Sequence, residues 1–258
     1  MSELFDVSAK TALVTGGSRG IGLMIARGLV QAGARVIVSS RKGPDVQAAA
    51  DELSQLGDCV AIPGDISTAD GASALAAATR ERFAELDILV NNAGVVWGAP
   101  LQEFPPVGWE KVLHTNVEGV FHLTVALLPA LRAAAQARGP ARVINIGSID
   151  GLRTPGVENY SYSASKAAVH MLTRHLAKRL ASEQITVNAI APGPFESKMM
   201  AFALDDPQVR EGIEASVPLG RIGRPDDVAG LTLFLASRAG AYVTGTVIPL
   251  DGGITGCN

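Results

Sequence analysis

The sequence predicts a single doubly wound α/β domain: a parallel sheet of about seven strands with helices on both faces. Three observations predict it. Short apolar runs alternate along the chain with longer amphipathic or alanine-rich stretches. The first run leads into a glycine cluster and then a helical segment, the order in which a phosphate-binding turn is built. Finally, 258 residues at 47% hydrophobic content with 28 glycines suit one large core with many tight turns. No linker, low-complexity segment or convincing repeat divides the chain, so residues 1–258 read as one domain.

The first strand is Thr11-Ala-Leu-Val-Thr15, a buried parallel run ending in Gly16-Gly-Ser-Arg-Gly-Ile-Gly22. Within this turn Gly16 can take positive φ, Gly20 lets backbone approach a pyrophosphate, and Gly22 permits close helix–strand packing. The following helix, to about Ala32, offers its free N–H groups to an anion. The spacing departs from Gly-x-Gly-x-x-Gly, and a purely structural tight turn is the alternative. The second strand, Arg35–Ser39, ends in Ser39-Ser40-Arg41, where a carboxylate would bind a ribose 2′-hydroxyl. Arg41 and Arg19 suit a 2′-phosphate instead, unless both are merely solvated.

A helix at about 45–55 precedes a strand at 59–63, which runs into Gly64-Asp65-Ile66. Asp65 either hydrogen-bonds an adenine amino group or caps the next helix, at about 69–83. The fourth strand, 87–90, ends in Asn91-Asn92-Ala93-Gly94, small enough for backbone to approach a flat ring or simply to form a turn. One long helix is expected over 106–137. Its Asn116 is a poor helix former and marks a kink or a polar network. The fifth strand, 142–146, delivers Gly147 and Ser148 to its carboxyl end.

Gly156 and Asn159 break the chain before a helix carrying Tyr160-Ser-Tyr-Ser-Ala-Ser-Lys166 and running to about Ser182. Tyr162 and Lys166 are i and i+4, so phenol and ammonium share one helix face. Tyrosine titrates near ~10, and a neighbouring cation favours the phenolate; reaching ~7 would require a partly dry cleft and a second cation. Tyr160 has Ala164 at the same spacing and lacks that partner. A sixth strand, 185–190, ends in Ala191-Pro192-Gly193. Residues 195–217, with Met199, Met200, Phe202 and Pro207, read as a helix pair that covers an apolar ligand or fills the core. Pro225-Asp-Asp opens a last helix, and a seventh strand at 245–249 leads to Asp251-Gly-Gly253.

Composition narrows the function further. A net charge of -3 offers no basic field for nucleic acid. No apolar run looks long enough to span a membrane. Glu3 and Asp6 lead into Ala12-Leu-Val without the basic and apolar regions of a signal peptide. Cys59 and Cys257 have neither metal-ligand nor disulfide-scaffold spacing, so no metal is expected and a reducing cytoplasm is the default.

In a doubly wound sheet, ligands lie beyond the carboxyl ends of the strands at the switch point. The glycine turn, Asn91–Gly94, Ser148, Tyr162 and Pro192-Gly193 all fall at that edge. The chain resembles the short-chain dehydrogenase/reductase family. The resemblance rests on Thr15-Gly-x-x-x-Gly-Ile-Gly22, Asn91-Asn-Ala-Gly94, Asn116, Ser148 before Tyr162-x-x-x-Lys166, Pro192-Gly193 and Asp251-Gly-Gly. It covers nearly the whole chain. Within the family, Ala141-Arg-Val-Ile-Asn-Ile-Gly-Ser148 and Gly240-Ala-Tyr-Val-Thr-Gly-Thr-Val-Ile-Pro249 most resemble 3-oxoacyl reductase-like members.

The resemblance implies a Rossmann-type fold and an NADP(H) cofactor held by Gly16, Ser18, Arg19, Gly20, Ile21, Gly22, Arg41, Asp65, Ile66, Asn92, Ala93, Gly94, Tyr162, Lys166, Pro192, Gly193 and Ser197. It implies that Ser148 binds the substrate carbonyl and that Tyr162 donates the proton. Lys166 would lower the Tyr162 pKa, and Asn116 would hold a water linking Lys166 to solvent. Ser197 stands where the family often has threonine, and keeps the hydroxyl. Glu183 stands where carrier-protein reductases present a basic residue, so an acyl-carrier substrate is in doubt. The resemblance also implies a homotetramer, built from whichever of Leu123, Leu127, Leu131, Val169, Leu172 and Leu176 do not face the sheet. The expected function is NADPH-dependent reduction of a ketone or 3-oxoacyl compound. The alternatives are an NAD-dependent alcohol dehydrogenase and a non-catalytic dinucleotide-binding regulator.

Overall fold

The computed structural model describes residues 2–196 and 206–257. Its strands are β1 Thr11–Thr15, β2 Arg35–Ser39, β3 Cys59–Ala61, β4 Ile88–Asn91, β5 Ala141–Ile146, β6 Ile185–Pro192 and β7 Val247–Leu250. They form one parallel sheet in the order β3-β2-β1-β4-β5-β6-β7. The chain builds outward from β1 to β3 and then returns to place β4 beside β1. The expected switch point therefore lies between β1 and β4.

Side chains alternate across this sheet with the period of a strand. Ala12, Val14, Val36, Val38, Val90 and Ile144 enter one core with α1 (Gly20–Gln31), α2 (Gly43–Ser54) and α8 (Pro225–Ala236). Leu13, Ile37, Leu89, Val143 and Val187 enter the other, with α3 (Ala69–Arg82), α5 (Gly119–Arg138) and α6 (Tyr160–Leu180). Burial on both faces is why these strands read as continuous apolar runs.

The expected helix over 106–137 is divided into α4 (Pro106–Leu113), a π-turn at His114–Glu118, and α5. Asn116 lies in that π-turn. Its side chain bonds to a neighbouring loop and to α6, described below, so the polar-network reading of this residue holds. The run Pro106–Arg138 is, against the sequence expectation, long and apolar enough to cross a membrane by length and composition alone. In the fold 44% of its most apolar stretch is buried, and Leu123, Leu127 and Leu131 pack into the core.

Those leucines, with Val169, face inward, so the outward stripe consists of other residues. Phe121, Val125, Leu128 and Leu176, with Leu180, Arg132 and Arg179, line a groove of about 160 Å³ between α5 and α6. Of the helix pair expected over 195–217, α7 is Pro207–Ala215, a helix with no fully buried residue. Met199, Met200 and Phe202 lie outside the described residues.

The close approach that glycine permits is sharpest at Gly22. A Cβ built there would sit 2.3 Å from the Gly16 carbonyl oxygen and equally near Asn92 Nδ2. Neither neighbour is the free end of a flexible side chain. Gly22→Ala is therefore expected to lower unfolding free energy by about 1–3 kcal/mol, read from the denaturation midpoint. An unchanged midpoint would show that the turn has room to relax.

Candidate active site

The glycine turn is tied to β4 through one threonine. Thr15 Oγ1 accepts from the backbone N–H groups of Asn92 and Ala93, both at 3.0 Å. Asn92 Nδ2 in turn donates to the carbonyls of Thr15 (2.9 Å) and Gly16 (3.2 Å). Gly16 and Gly20 adopt φ of 64° and 53°, the left-handed region that turns the chain into α1. Arg19 occupies the N-cap of α1 but supplies no capping side chain, leaving the orphan amides of Ser18–Gly22 to an outside acceptor. Ile21 packs its side chain against the core, so only its backbone can serve a ligand.

Arg19 and Arg41 are exposed, and neither has an ion-pair partner among the described residues. At the end of β2, the buried Ser39 Oγ is also without a partner. A free helix N-terminus beside unpaired guanidinium groups and an orphaned hydroxyl fits a dinucleotide with a 2′-phosphate. Asp65 does not cap α3, because Thr68 does so by accepting from Gly71 N at 3.1 Å. Asp65 Oδ1 instead accepts from Ser67 N at 3.0 Å, and the residue is exposed at the site edge. The Ile66 side chain is buried in the second core cluster.

Lys166 is 5% exposed, and its Nζ donates to Ile146 O at 2.8 Å. Gly94 lies directly over it: a Cβ there would come within 3.3 Å of Asn116 Oδ1 and 3.7 Å of Lys166 Nζ. Asn116 Oδ1 accepts from Val95 N (2.8 Å), and its Nδ2 donates to Val95 O (3.0 Å) and Ser165 Oγ (3.0 Å). Asn116 thus clamps the Asn91–Gly94 loop against α6. Pro192 closes β6, and Gly193 N bonds to Leu250 O at 3.0 Å. Ser197 lies outside the described residues.

Tyr162 sits in the first turn of α6, with Lys166 Nζ 5.5 Å from its ring centroid. Ser148, two residues beyond the end of β5, offers its phenol a hydrogen bond that favours the phenolate. Burial pushes the Tyr162 phenol up to about 12, opposed by that bond and reinforced by the Asp150 carboxylate. Burial also brings the Lys166 ammonium down to about 8. Desolvation of the phenolate is the largest influence on Tyr162 in the cofactor-free site, where the second cation that the expected lowering calls for is not present. The cofactor-free phenol is thus protonated at neutral pH, the form a proton donor starts from.

Several site residues escaped the sequence reading. His170, one turn beyond Lys166, is 3% exposed and is brought down to about 4 by burial, so its imidazole is neutral. It fits only because position 147 is glycine: a Cβ there would lie 2.2 Å from His170 Nε2. Asn91 Nδ2 donates to Asn145 Oδ1 (2.9 Å), and Asn145 Nδ2 to Thr173 Oγ1 (2.9 Å), a polar chain beneath the site. No spacing rule reveals such cross-strand partners, which appear only once β4 lies beside β5.

A family model described as Enoyl-(Acyl carrier protein) reductase matches residues 16–255. The chain is 53% identical to the rhamnolipids biosynthesis 3-oxoacyl-[acyl-carrier-protein] reductase of Pseudomonas aeruginosa, over 98% of this chain and 99% of that protein. It belongs to the short-chain dehydrogenase/reductase family. This family member also superimposes on the solved Pseudomonas aeruginosa RhlG/NADP active-site complex with a TM-score of 0.96 and 53% identity, covering 99% and 100% of the two chains. A galactitol 2-dehydrogenase (L-tagatose-forming) of Cereibacter sphaeroides is 38% identical, over 98% of this chain and 97% of that protein. The narrower resemblance carried by residues 141–148 and 240–249 thus points to the right branch of these oxidoreductases.

Proposed function

We propose that the protein is an NADPH-dependent carbonyl reductase acting on a ketone or 3-oxoacyl compound. The observation that carries this reading is the meeting of Ser148, Tyr162 and Lys166 at the sheet edge that also holds the glycine turn, Arg19 and Arg41. The Pseudomonas aeruginosa relative supports it twice, being named as a 3-oxoacyl reductase and solved with NADP.

The chain's residues divide the work. The α1 amides and the two arginines hold the phosphates, while Lys166 binds the ribose hydroxyls. When bound, the reduced nicotinamide supplies the hydride. Ser148 donates a hydrogen bond to the carbonyl oxygen, stabilising the charge that develops there. Tyr162, kept protonated by burial, gives its proton to that oxygen as the alcohol forms. Lys166 then carries the compensating positive charge, and Asn116 holds the water that links it to solvent. Asp65 would complete the cofactor contacts at the adenine end, and the Ser197 expected at the carboxamide lies outside the described residues. Of the segment expected to cover the substrate, α7, with no buried anchor, suits a part that adjusts on binding.

A non-catalytic regulator would need neither Ser148 nor Tyr162. Polyol oxidation is the second reading, favoured by the galactitol dehydrogenase relative and disfavoured by the absence of a carboxylate at Ser40-Arg41. A substrate panel discriminates: ketones, 3-oxoacyl and enoyl thioesters, each with NADPH, against polyols with NAD. Turnover of polyols alone would overturn the reductase reading. The panel includes carrier-bound and free thioesters because Glu183 is paired with Arg132 (2.6 Å) and Arg179 (2.9 Å), which moderates its charge against an acidic carrier. Cys59 and Cys257 are both free, as suits the reducing cytoplasm in which we place the enzyme.

The exposed apolar residues Phe121 and Val125, with Trp109 and Met171, support a homotetramer joined through α4, α5 and α6. Light scattering at micromolar concentration is expected to give four times the 26.7 kDa chain mass. A monomeric mass would defeat this assembly.

A further inference from the structure

Ser148 and Tyr162 come from different elements, and something must hold them in register. A continuous line of hydrogen bonds does so. Asp150 N donates to Ser148 Oγ at 3.1 Å, which leaves the serine's own proton free to donate. Asn159 Nδ2 donates to Asp150 Oδ2 at 3.1 Å. Asn159 O then accepts from Tyr162 N at 2.8 Å and Ser163 N at 3.1 Å, opening α6. Asn159 is 6% exposed, and its Oδ1 has no partner among the described residues, so Asp150 is its one side-chain anchor there.

An amide at position 150 would accept the same bond from Asn159, so loop closure alone does not call for an acid. What the acid adds is a negative charge beside the proton donor. Among the described residues, the charged groups around the site are few. Asp150 acts from the turn after β5, Lys166 from α6, and His170 is neutral. Arg174 acts on His170 and Arg153 on Asp251, away from the phenol.

We propose that Asp150, braced by Asn159, is a positioning and charge-setting residue that registers Ser148 against Tyr162 and sets the pH range over which the phenol keeps its proton. This rests on the carbonyl-reductase reading above. The sign follows from Coulomb's law. A nearby carboxylate opposes phenolate formation and favours the ammonium, so it raises both Tyr162 and Lys166. The donor then keeps its proton to higher pH, and the lysine remains charged across the neutral range.

Asp150→Asn keeps the bond to Asn159 and removes the charge. The alkaline limb of kcat/KM for reduction, where the donor loses its proton, is expected to move down by about one pH unit. Independently of turnover, the Lys166 side chain can be titrated in cofactor-free protein by NMR of 13Cε-labelled lysine, its signal assigned by loss in Lys166→Arg. Its midpoint is expected near 8 in the wild type and lower in Asp150→Asn. Asn159→Ala retains the charge but loses the brace, so kcat is expected to fall about tenfold with both midpoints unmoved. Asp150→Ser, which suits the same turn but loses the brace, carries the expectation for the Lys166 midpoint if Asp150→Asn fails to fold.

Coincident Lys166 titrations in wild type and Asp150→Asn would overturn the charge-setting role, and an unchanged kcat in Asn159→Ala the positioning role. A wild type inactive on every carbonyl, yet showing the NMR shift, would overturn the reductase reading and leave the electrostatic role standing.

Discussion

Tyr162→Phe is expected to lower turnover roughly 10²–10⁴-fold while leaving NADPH affinity nearly unchanged. In the proposed mechanism the phenol gives its proton to the substrate oxygen, so it would serve the transition state rather than the ground state. The ring itself stays in place, and Lys166 retains its bond to Ile146 O. Tyr160→Phe is the control. Tyr160 packs its ring on Phe104 at 5.6 Å and donates its hydroxyl to Glu158 at 3.0 Å, with no bond to Ser148 or Lys166 among the described residues. A small effect is expected there. Steady-state kinetics with fluorescence titration of NADPH checks both, and equal losses in the two variants would show that Tyr162 is not the proton donor.

Cofactor choice carries the second large effect. Arg19 and Arg41 are exposed and free of carboxylate partners among the described residues, so a bound 2′-phosphate would not compete with existing ion pairs. Charge-assisted hydrogen bonds contribute about 1.5–3 kcal/mol each. Arg41→Ala is therefore expected to weaken NADPH roughly 10- to 100-fold and to leave NADH nearly untouched. Adding Ser40→Asp should reverse the preference, because a carboxylate repels the phosphate and accepts from a 2′-hydroxyl. The ratio of kcat/KM for the two cofactors reads this directly. Equal use by the wild type, or equal losses in Arg41→Ala, would remove Arg41 from the 2′-phosphate contact.

The architecture was legible because it is written in local patterns. Apolar runs buried on both faces, glycines at strand ends and i, i+4 pairs are properties of short segments, and Thr15–Gly22 and Tyr162–Lys166 carry their chemistry in their spacing. Side-chain direction was less legible. Leu123, Leu127 and Leu131 recur at helical spacing on the core side of α5, while the outward stripe runs through Phe121 and Val125. Apolar periodicity alone cannot say which of two apolar faces meets the sheet. The capping of α3 went to Thr68 rather than Asp65 because only geometry separates a cap from an Asx turn.

Electrostatics belonged wholly to the tertiary structure. Tyr162 and Lys166 form the same pair in sequence and in space, yet the sign of the tyrosine shift depends on burial and on Asp150, 12 positions away. The π-turn at Asn116, the His170 imidazole against Gly147 and the Asn91–Asn145–Thr173 chain arise the same way. Each joins residues from separate elements. Local spacing determined the fold and picked out the glycine turn and the candidate proton donor, because those depend on a few neighbouring residues. How readily that donor gives up its proton depends on the dielectric and charges around it, which exist only after β5 and α6 have packed together.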